Sequence, residues 1–558
     1  MLFKTLFIDY FKNHKIILIF YILILLIVYP IESVLLSNLF GKLFNVINKN
    51  RKLPNFMDIY NNLIKQNAPG LIIIISSIYV LLYFIYMTKN YLETIIIPYY
   101  QKYLRTLLFN NVLKKYSNNY KDIKIGEVLS KISELTYSIV SMFINCFDQF
   151  LSTFSGLIFI NIYFFTLNWK IGLLYFLSIV TIFIILYIKS PLLIDNSIKK
   201  MNSLYDNNEF MNDKFSNLMN IYLNNEENQE KKNFFKIENI LKNRYVKNIW
   251  IEKQSLTLTD MIVILSTIFI IIYSYYLLKD NQINVTTFIS ICITVSASMT
   301  YIYYLGKQIT DSVYYIGIIL SNKDFLDEIL NHPMKNIKNV NLTQGKIQFK
   351  NVYFKYNEQS KYILKNFNYT IEPKTKIAFI GQSGSGKSTI MKLLIDLHPL
   401  TQGDIFIDDE NINEIDTDYL RNKIIYVNQK TLMFNKSVLD NIKYGTQINE
   451  QQIIKLMEKY DLLTVFQKLP FGLKSNCGVN GNNLSMGMQK VIIMIRGILK
   501  NGIVYILDEP LTSLDSKTKK KIIKMIMNEL KNKTIIVITH DKEIIPYMNK
   551  TININHLR

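Results

Sequence analysis

The order of hydrophobic and polar positions changes character once along this chain, between residues 331 and 344. Before that stretch come six apolar runs, at 16–36, 71–86, 140–165, 171–188, 261–278 and 288–305. They approach or exceed the roughly 20 residues that a helix needs to cross the hydrocarbon core of a bilayer. A buried core helix accounts for any one of them, but six in succession predict a membrane-spanning bundle. The stretches 92–137 and 190–257 mix charge with apolar residues at helical spacing and hold almost no Gly or Pro. They predict helices that continue out of the membrane, because loops of that length without turn residues are uncommon. At His332 and Pro333 the periodicity lapses into a polar run, and beyond it Ile347, Phe349, Val352 and Phe354 alternate as in a strand. The expected organisation is a multi-domain membrane protein. A six-helix, all-α transmembrane domain with long cytosolic extensions covers residues 1–320, a linker 321–344, and an α/β domain 345–558.

Lys4, Lys12 and Lys15 precede the first run, which is too long for a secretory signal and lacks a small-residue cleavage site, so it is expected to remain as an anchor. The loops after the third and fifth runs carry one lysine each, whereas the stretches after the second and fourth are long and lysine-rich. The positive-inside rule then sets both termini and the C-terminal domain on the cytosolic side. The loop between the first two runs, with Lys42, Lys49, Arg51, Lys52 and Lys65, falls outside and breaks that rule. A plasma or inner membrane and an organelle membrane fit the pattern equally.

Composition adds exclusions. With 49% hydrophobic and 19% charged residues over 558, the chain is too apolar for disorder and too long for one core. Its three cysteines, Cys146, Cys292 and Cys477, are far apart, which rules out a disulfide framework and a zinc site. The net charge of +21 comes from lysines scattered along the chain rather than gathered on one tail. No nucleic-acid partner is therefore expected, and an anionic bilayer surface is a second outlet for the charge.

The chemistry is concentrated after residue 375. An apolar strand over 376–380 runs into Gly381-Gln382-Ser383-Gly384-Ser385-Gly386-Lys387-Ser388-Thr389, a G-x-x-x-x-G-K-[ST] phosphate loop between a strand and a helix. Its glycines let backbone N–H groups turn toward phosphates, and the helix N-terminus adds partial positive charge. In that pattern Lys387 reaches the β- and γ-phosphates and Ser388 ligates magnesium. A second apolar strand, 503–507, ends in Asp508-Glu509. Asp508 is the expected magnesium ligand there, and Glu509 the group that polarises the attacking water.

Gly381 to Thr389, Leu507-Asp508-Glu509-Pro510 and the helix opening at Leu484-Ser485 closely resemble the nucleotide-binding domain of ATP-binding cassette (ABC) transporters, over about residues 345–558. The resemblance implies ATP and Mg2+ as ligands and adds roles in order along the chain. Tyr356, closing the alternating strand, takes the place of the aromatic that stacks on adenine. Gln429, after the strand 424–427, matches the glutamine that contacts magnesium and water and senses the membrane domain. Ser513-Leu514-Asp515 resembles the D-loop, and His540 the switch histidine at the γ-phosphate. The six runs resemble the exporter type, in which both domains share one chain. Gly126-Glu127-Val128-Leu129-Ser130 matches a short stretch of its first cytosolic segment. That architecture also implies coupling helices in the two cytosolic segments, pressed on the nucleotide-binding domains near Gln429.

The chain departs from this pattern at one motif. The signature, usually Leu-Ser-Gly-Gly-Gln, reads Leu484-Ser485-Met486-Gly487-Met488. In the family, Ser485 and Gly487 would bind the γ-phosphate of ATP held by an opposite subunit. Met486 brings a side chain where glycine allowed close approach, so weakened hydrolysis is expected. Val479 stands where exporters often have an acidic residue. One chain supplies half of each site, which implies a second half-transporter as partner. A homodimer is the expectation, with a heterodimer beside an intact signature kept open. The expected function is ATP-driven export of an unidentified substrate. The rival reading is a non-transporting regulator or ATP-gated assembly that binds ATP more than it turns it over. Asp148-Gln149 in the third run is a candidate substrate contact or the cytosolic end of an extended helix. Tyr301, Tyr303 and Tyr304 are candidates for lining the path or for interface anchors.

Overall fold

A computed structural model describes residues 6–7, 9–49, 68–117, 124–330, 337–357, 359–382, 384–429 and 432–554. Lys4, Arg51, Lys52, Lys65, His332, Pro333 and the loop residue Ser383 lie outside them. Contacts divide the chain into two units, Met1–Lys115 with Asp122–His332, and Tyr116–Lys121 with Pro333–Arg558.

In the first unit each apolar run lies within a longer helical span: Lys15–Ile47, Ala68–Lys115, Ile125–Leu167, Trp169–Ser216, Glu227–Lys279 and Val285–Ser321. The fifth has 53 residues. At 1.5 Å per residue that is about 80 Å, well beyond a hydrocarbon core of about 30 Å. Most of the charge-bearing stretches 92–137 and 190–257 are helical, within the second to fifth spans and the short helix Leu218–Leu223. Large apolar side chains such as Phe20, Leu81, Phe84 and Phe269 stand more than half exposed. Lipid solvates that face without the cost that water would impose. The bundle interior packs around Ile160, Phe164, Ile182, Ile270, Ile291 and Ile302. Gly126 earns its place by close approach, since a Cβ there would meet Asn212 Cβ at 2.8 Å.

Two spans carry π-helical turns, Ile31–Leu35 in the first and Ile144–Phe150 in the third. Asp148 sits in the second of these turns, with Oδ1 2.8 Å from Lys89 Nζ. Lys89 in turn lies 3.1 Å from Glu93, which accepts from Tyr21 OH at 2.9 Å. Asp148 is thus bound to the neighbouring span. Tyr301 packs on Tyr29 with ring centroids 5.2 Å apart, while Tyr303 and Tyr304 are 41% and 48% exposed.

The second unit holds two sheets. The antiparallel one, in the order β2-β1-β4-β5, is built from β1 (Ile347–Phe354), β2 (Leu364–Ile371), β4 (Gln402–Ile407) and β5 (Glu410–Asn411). The other is parallel, in the order β6-β7-β8-β3-β9, from β3 (Lys376–Ile380), β6 (Ile424–Val427), β7 (Val504–Asp508), β8 (Thr534–Ile538) and β9 (Lys550–Asn553). All five residues of β7 and of β8 are buried, as a parallel sheet covered on both faces requires. Three helices bear on the site: α1 (Lys387–Leu394), α2 (Met486–Ile498) and α3 (Ser516–Glu529). α1 begins at Lys387, directly after Gly386, which takes φ +85° at the N-cap position.

Candidate functional site

Four neighbouring parallel strands deliver four of the expected residues to one edge. Gln429 follows β6, Asp508 ends β7 with Glu509 directly after it, His540 follows β8, and the phosphate loop follows β3. The carboxyl edge of a parallel sheet is where such folds bind ligands. A cleft of about 350 Å³ opens there, lined by Tyr356, Gly384, Ser385, Gly386, Lys387, Ser388, Thr389, Gln429, Asp508, Glu509 and His540.

Gly384 and Gly386 turn through φ values of +78° and +85°, a conformation that any Cβ would strain. Lys387 Nζ folds back to the carbonyls of Gly381 and Gln382, at 2.7 and 2.9 Å. Its burial pushes its pKa down, against the pull of Glu509 and Asp508. Tyr356 OH and Thr389 Oγ1 are hydrogen-bonded at 3.0 Å, which fixes the ring beside the loop. The ring also meets His398 edge-on at 5.3 Å.

Asp508 is buried, and its Oδ2 accepts from Tyr426 OH on the adjoining strand at 2.8 Å. Ser388, Gln429 and Asp508 line the same cleft and offer only oxygen ligands. Among the described residues no group of three or more His, Cys, Asp or Glu could hold a metal. This oxygen set, with Asp508 as its carboxylate, fits magnesium, which is bound through one or two carboxylates and completes its shell with other oxygens, water and phosphate. Glu509 adopts φ +49°, unusual for a residue with a side chain. Its Oε2 lies 3.5 Å from Thr539 Oγ1, and its Oε1 lies 3.9 Å from His540 Nε2.

Ser485, Gly487 and Asp515 are not among the cleft's lining residues. Ser485 is the exposed N-cap of α2, with Oγ accepting from Met488 N at 3.3 Å. Met486 opens the helix 64% exposed. Gly487 lies against the D-loop stretch, so that a Cβ there would meet Ser513 O at 3.1 Å. Asp515 caps α3 by accepting from Lys517 N and Thr518 N, both at 3.1 Å. The bonds with Thr518 hold its carboxyl below the usual range. Val479 is 61% exposed.

Two polar residues escaped the sequence reading. Tyr426 looked like an ordinary strand residue. Lys490, only 4% exposed, heads an apolar helical run, and a charge in that place was the available cue. Its Nζ donates to Asp508 O at 3.3 Å and Gln429 O at 3.4 Å, and burial pushes its pKa down to about 8.

Comparison with known proteins places both halves. Residues 16–301 match the family described as ABC transporter transmembrane region, and residues 364–512 the family described as ABC transporter. The chain is 28% identical over 512 residues to the multidrug resistance-like ATP-binding protein MdlB of Buchnera aphidicola subsp. Schizaphis graminum, covering 86% of this chain and 83% of that one. It is 26% identical to the ATP-dependent lipid A-core flippase of Legionella pneumophila, covering 82% of this chain and 78% of that one. Its fold is similar to that of a bacterial Atm1-family ABC exporter with ATP bound. The TM-score is 0.85 at 17% identity, over 98% of this chain and 94% of that one.

Proposed function

Because the chain belongs to the ABC transporter family, we propose that two copies of it form an exporter in which ATP, held between paired nucleotide-binding domains, drives rearrangement of the membrane helices. It is a multi-pass membrane protein and a transport-coupled ATPase with the organisation of a half-transporter. The observation that carries the reading is the convergence of Gln429, Asp508, Glu509, His540 and the phosphate loop on one sheet edge.

On this reading Lys387 and the loop N–H groups hold the β- and γ-phosphates, with Tyr356 under the adenine. Magnesium, when held by Ser388, Asp508 and Gln429, neutralises charge on the phosphates. Glu509 accepts a proton from the attacking water, and His540 donates to the γ-phosphate edge. Both termini and the nucleotide-binding domain are cytosolic.

Ser485 and Gly487 serve a partner's nucleotide, which is why they are set apart from the cleft of their own chain. The partner is read as a second copy, with a heterodimeric half-transporter as the alternative. Met486, exposed at the head of α2, weakens closure and slows hydrolysis. The turn between the fourth and fifth spans supports a coupling role, because its short helix Leu218–Leu223 exposes Met219, Tyr222 and Leu223. An ATP-gated regulator draws only on the altered signature. The retained Ser485 cap and Gly487 favour turnover.

The test is ATP hydrolysis by the protein reconstituted in lipid, across panels of lipids, peptides, drug-like compounds and metal conjugates. Turnover that a cargo stimulates supports the exporter. ATP binding without turnover supports the regulator.

A further inference from the structure

We propose that Lys490 is a positioning residue for hydrolysis: its ammonium fixes the backbone that aims Glu509 and Gln429. The proposal rests on the hydrolytic reading of Glu509. Lys490 lies on the buried side of α2, the helix that Ser485 caps, and both of its acceptors are main-chain carbonyls, Asp508 O at 3.3 Å and Gln429 O at 3.4 Å. One side chain therefore ties the signature helix to the ends of β6 and β7.

The Asp508–Glu509 peptide is held at both ends. Its carbonyl accepts from Lys490, and its N–H donates to Ile538 O at 2.8 Å. Immediately after it Glu509 takes φ +49°. A residue with a side chain stays in that region only where its surroundings over-determine it. Rotation of this peptide would swing the Glu509 carboxylate away from the phosphate edge. The backbone of Gln429 is pinned in a similar way, its carbonyl by Lys490 and its N–H by Asn428 Oδ1 at 2.9 Å.

For folding alone a lysine is a poor choice in this position. A buried ammonium forfeits hydration, and an apolar side chain of similar volume packs there at no such cost. A role in stability predicts that replacement by methionine lowers the thermal midpoint, whereas the desolvation cost of the ammonium predicts a fold as stable or more so. A role in positioning predicts that turnover falls nonetheless.

The experiment compares wild type with Lys490→Met, Lys490→Gln, Glu509→Gln and the double variant Lys490→Met/Glu509→Gln, all as the full chain in lipid. For Lys490→Met the expected result is a kcat at least tenfold lower, an ATP Kd within threefold of wild type, and a thermal midpoint that does not fall. Lys490→Gln, which keeps an amide donor, regains part of the lost kcat. In the Glu509→Gln background Lys490→Met produces a clearly less than additive loss of single-turnover rate, because the lysine acts chiefly through the glutamate. Wild-type kcat in Lys490→Met overturns the proposal. So does a parallel fall of kcat, ATP affinity and midpoint, or an additive loss in the double variant. Full turnover in Glu509→Gln alone overturns the reading of Glu509 and the proposal with it.

Discussion

His540 Nε2 lies 3.9 Å from Glu509 Oε1, across the carboxyl ends of two hydrogen-bonded parallel strands. Asp508 is paired in register with Ile538, so the next residues of each chain segment emerge side by side over the phosphate loop. In the roles proposed for them, Glu509 would accept a proton from the attacking water and His540 would donate to the γ-phosphate beside it. Replacing His540 with Ala removes the donor, and kcat is expected to fall by about 100-fold, the cost of losing one preorganised contact to developing charge. ATP affinity should change little. Steady-state ATPase measured beside equilibrium nucleotide binding separates the two effects.

Met486 gives a prediction of the opposite sign. If its side chain strains closure by about 1.4 kcal/mol, Met486→Gly raises turnover about tenfold. The double change Met486→Gly/Met488→Gln should do at least as well. An unchanged rate would show that the methionine does not obstruct closure.

Gly487 links the signature to the D-loop of its own chain. An added Cβ meets Ser513 O at 3.1 Å, and main chain yields less readily than a side chain. Gly487→Ala is expected to cost about 1 kcal/mol of overpacking, visible as a fall of several-fold in kcat. Among the described residues Gly384→Ala meets no such neighbour within 4 Å, so it is expected to act through φ strain.

Asp515 caps α3 through two backbone N–H groups. Asp515→Ala should destabilise the nucleotide-binding domain by about 1 kcal/mol, a drop of roughly 2–4 °C in its thermal midpoint. Asp515→Asn, which keeps the cap, should recover most of that loss.

Tyr356 separates stacking from hydrogen bonding. Tyr356→Phe loses the bond to Thr389 but keeps the ring, whereas Tyr356→Ala loses both. Loss of base stacking costs about 1–3 kcal/mol. The Ala variant should therefore bind ATP at least about fivefold more weakly, and the Phe variant close to wild type, as read by nucleotide titration.

Much of this was legible in sequence, because the parts that carry it are local. The strand–loop–helix at Lys387 and the acidic end of β7 are contiguous motifs whose backbone geometry follows from their own residues. The six spans are visible because each apolar run is long enough to announce its surroundings. Their helical continuations were legible as well, because 92–137 and 190–257 mix charge with apolar residues at helical spacing and hold almost no Gly or Pro, whereas the exact helix ends were not. Contacts between distant segments were also out of reach. The Lys490 bonds to Gln429 and Asp508, the Tyr426 bond to Asp508 and the Lys89–Asp148 pair depend on which elements become neighbours. Of these only Lys490 left a trace, as a charge on an otherwise apolar helical face.

The central claim is that one chain cannot complete its own catalytic site. The most direct measurement loads lipid nanodiscs with either one or two copies and compares ATPase activity per chain. The account predicts hydrolysis in two-copy discs and almost none in one-copy discs. Equal activity per chain in both would contradict it.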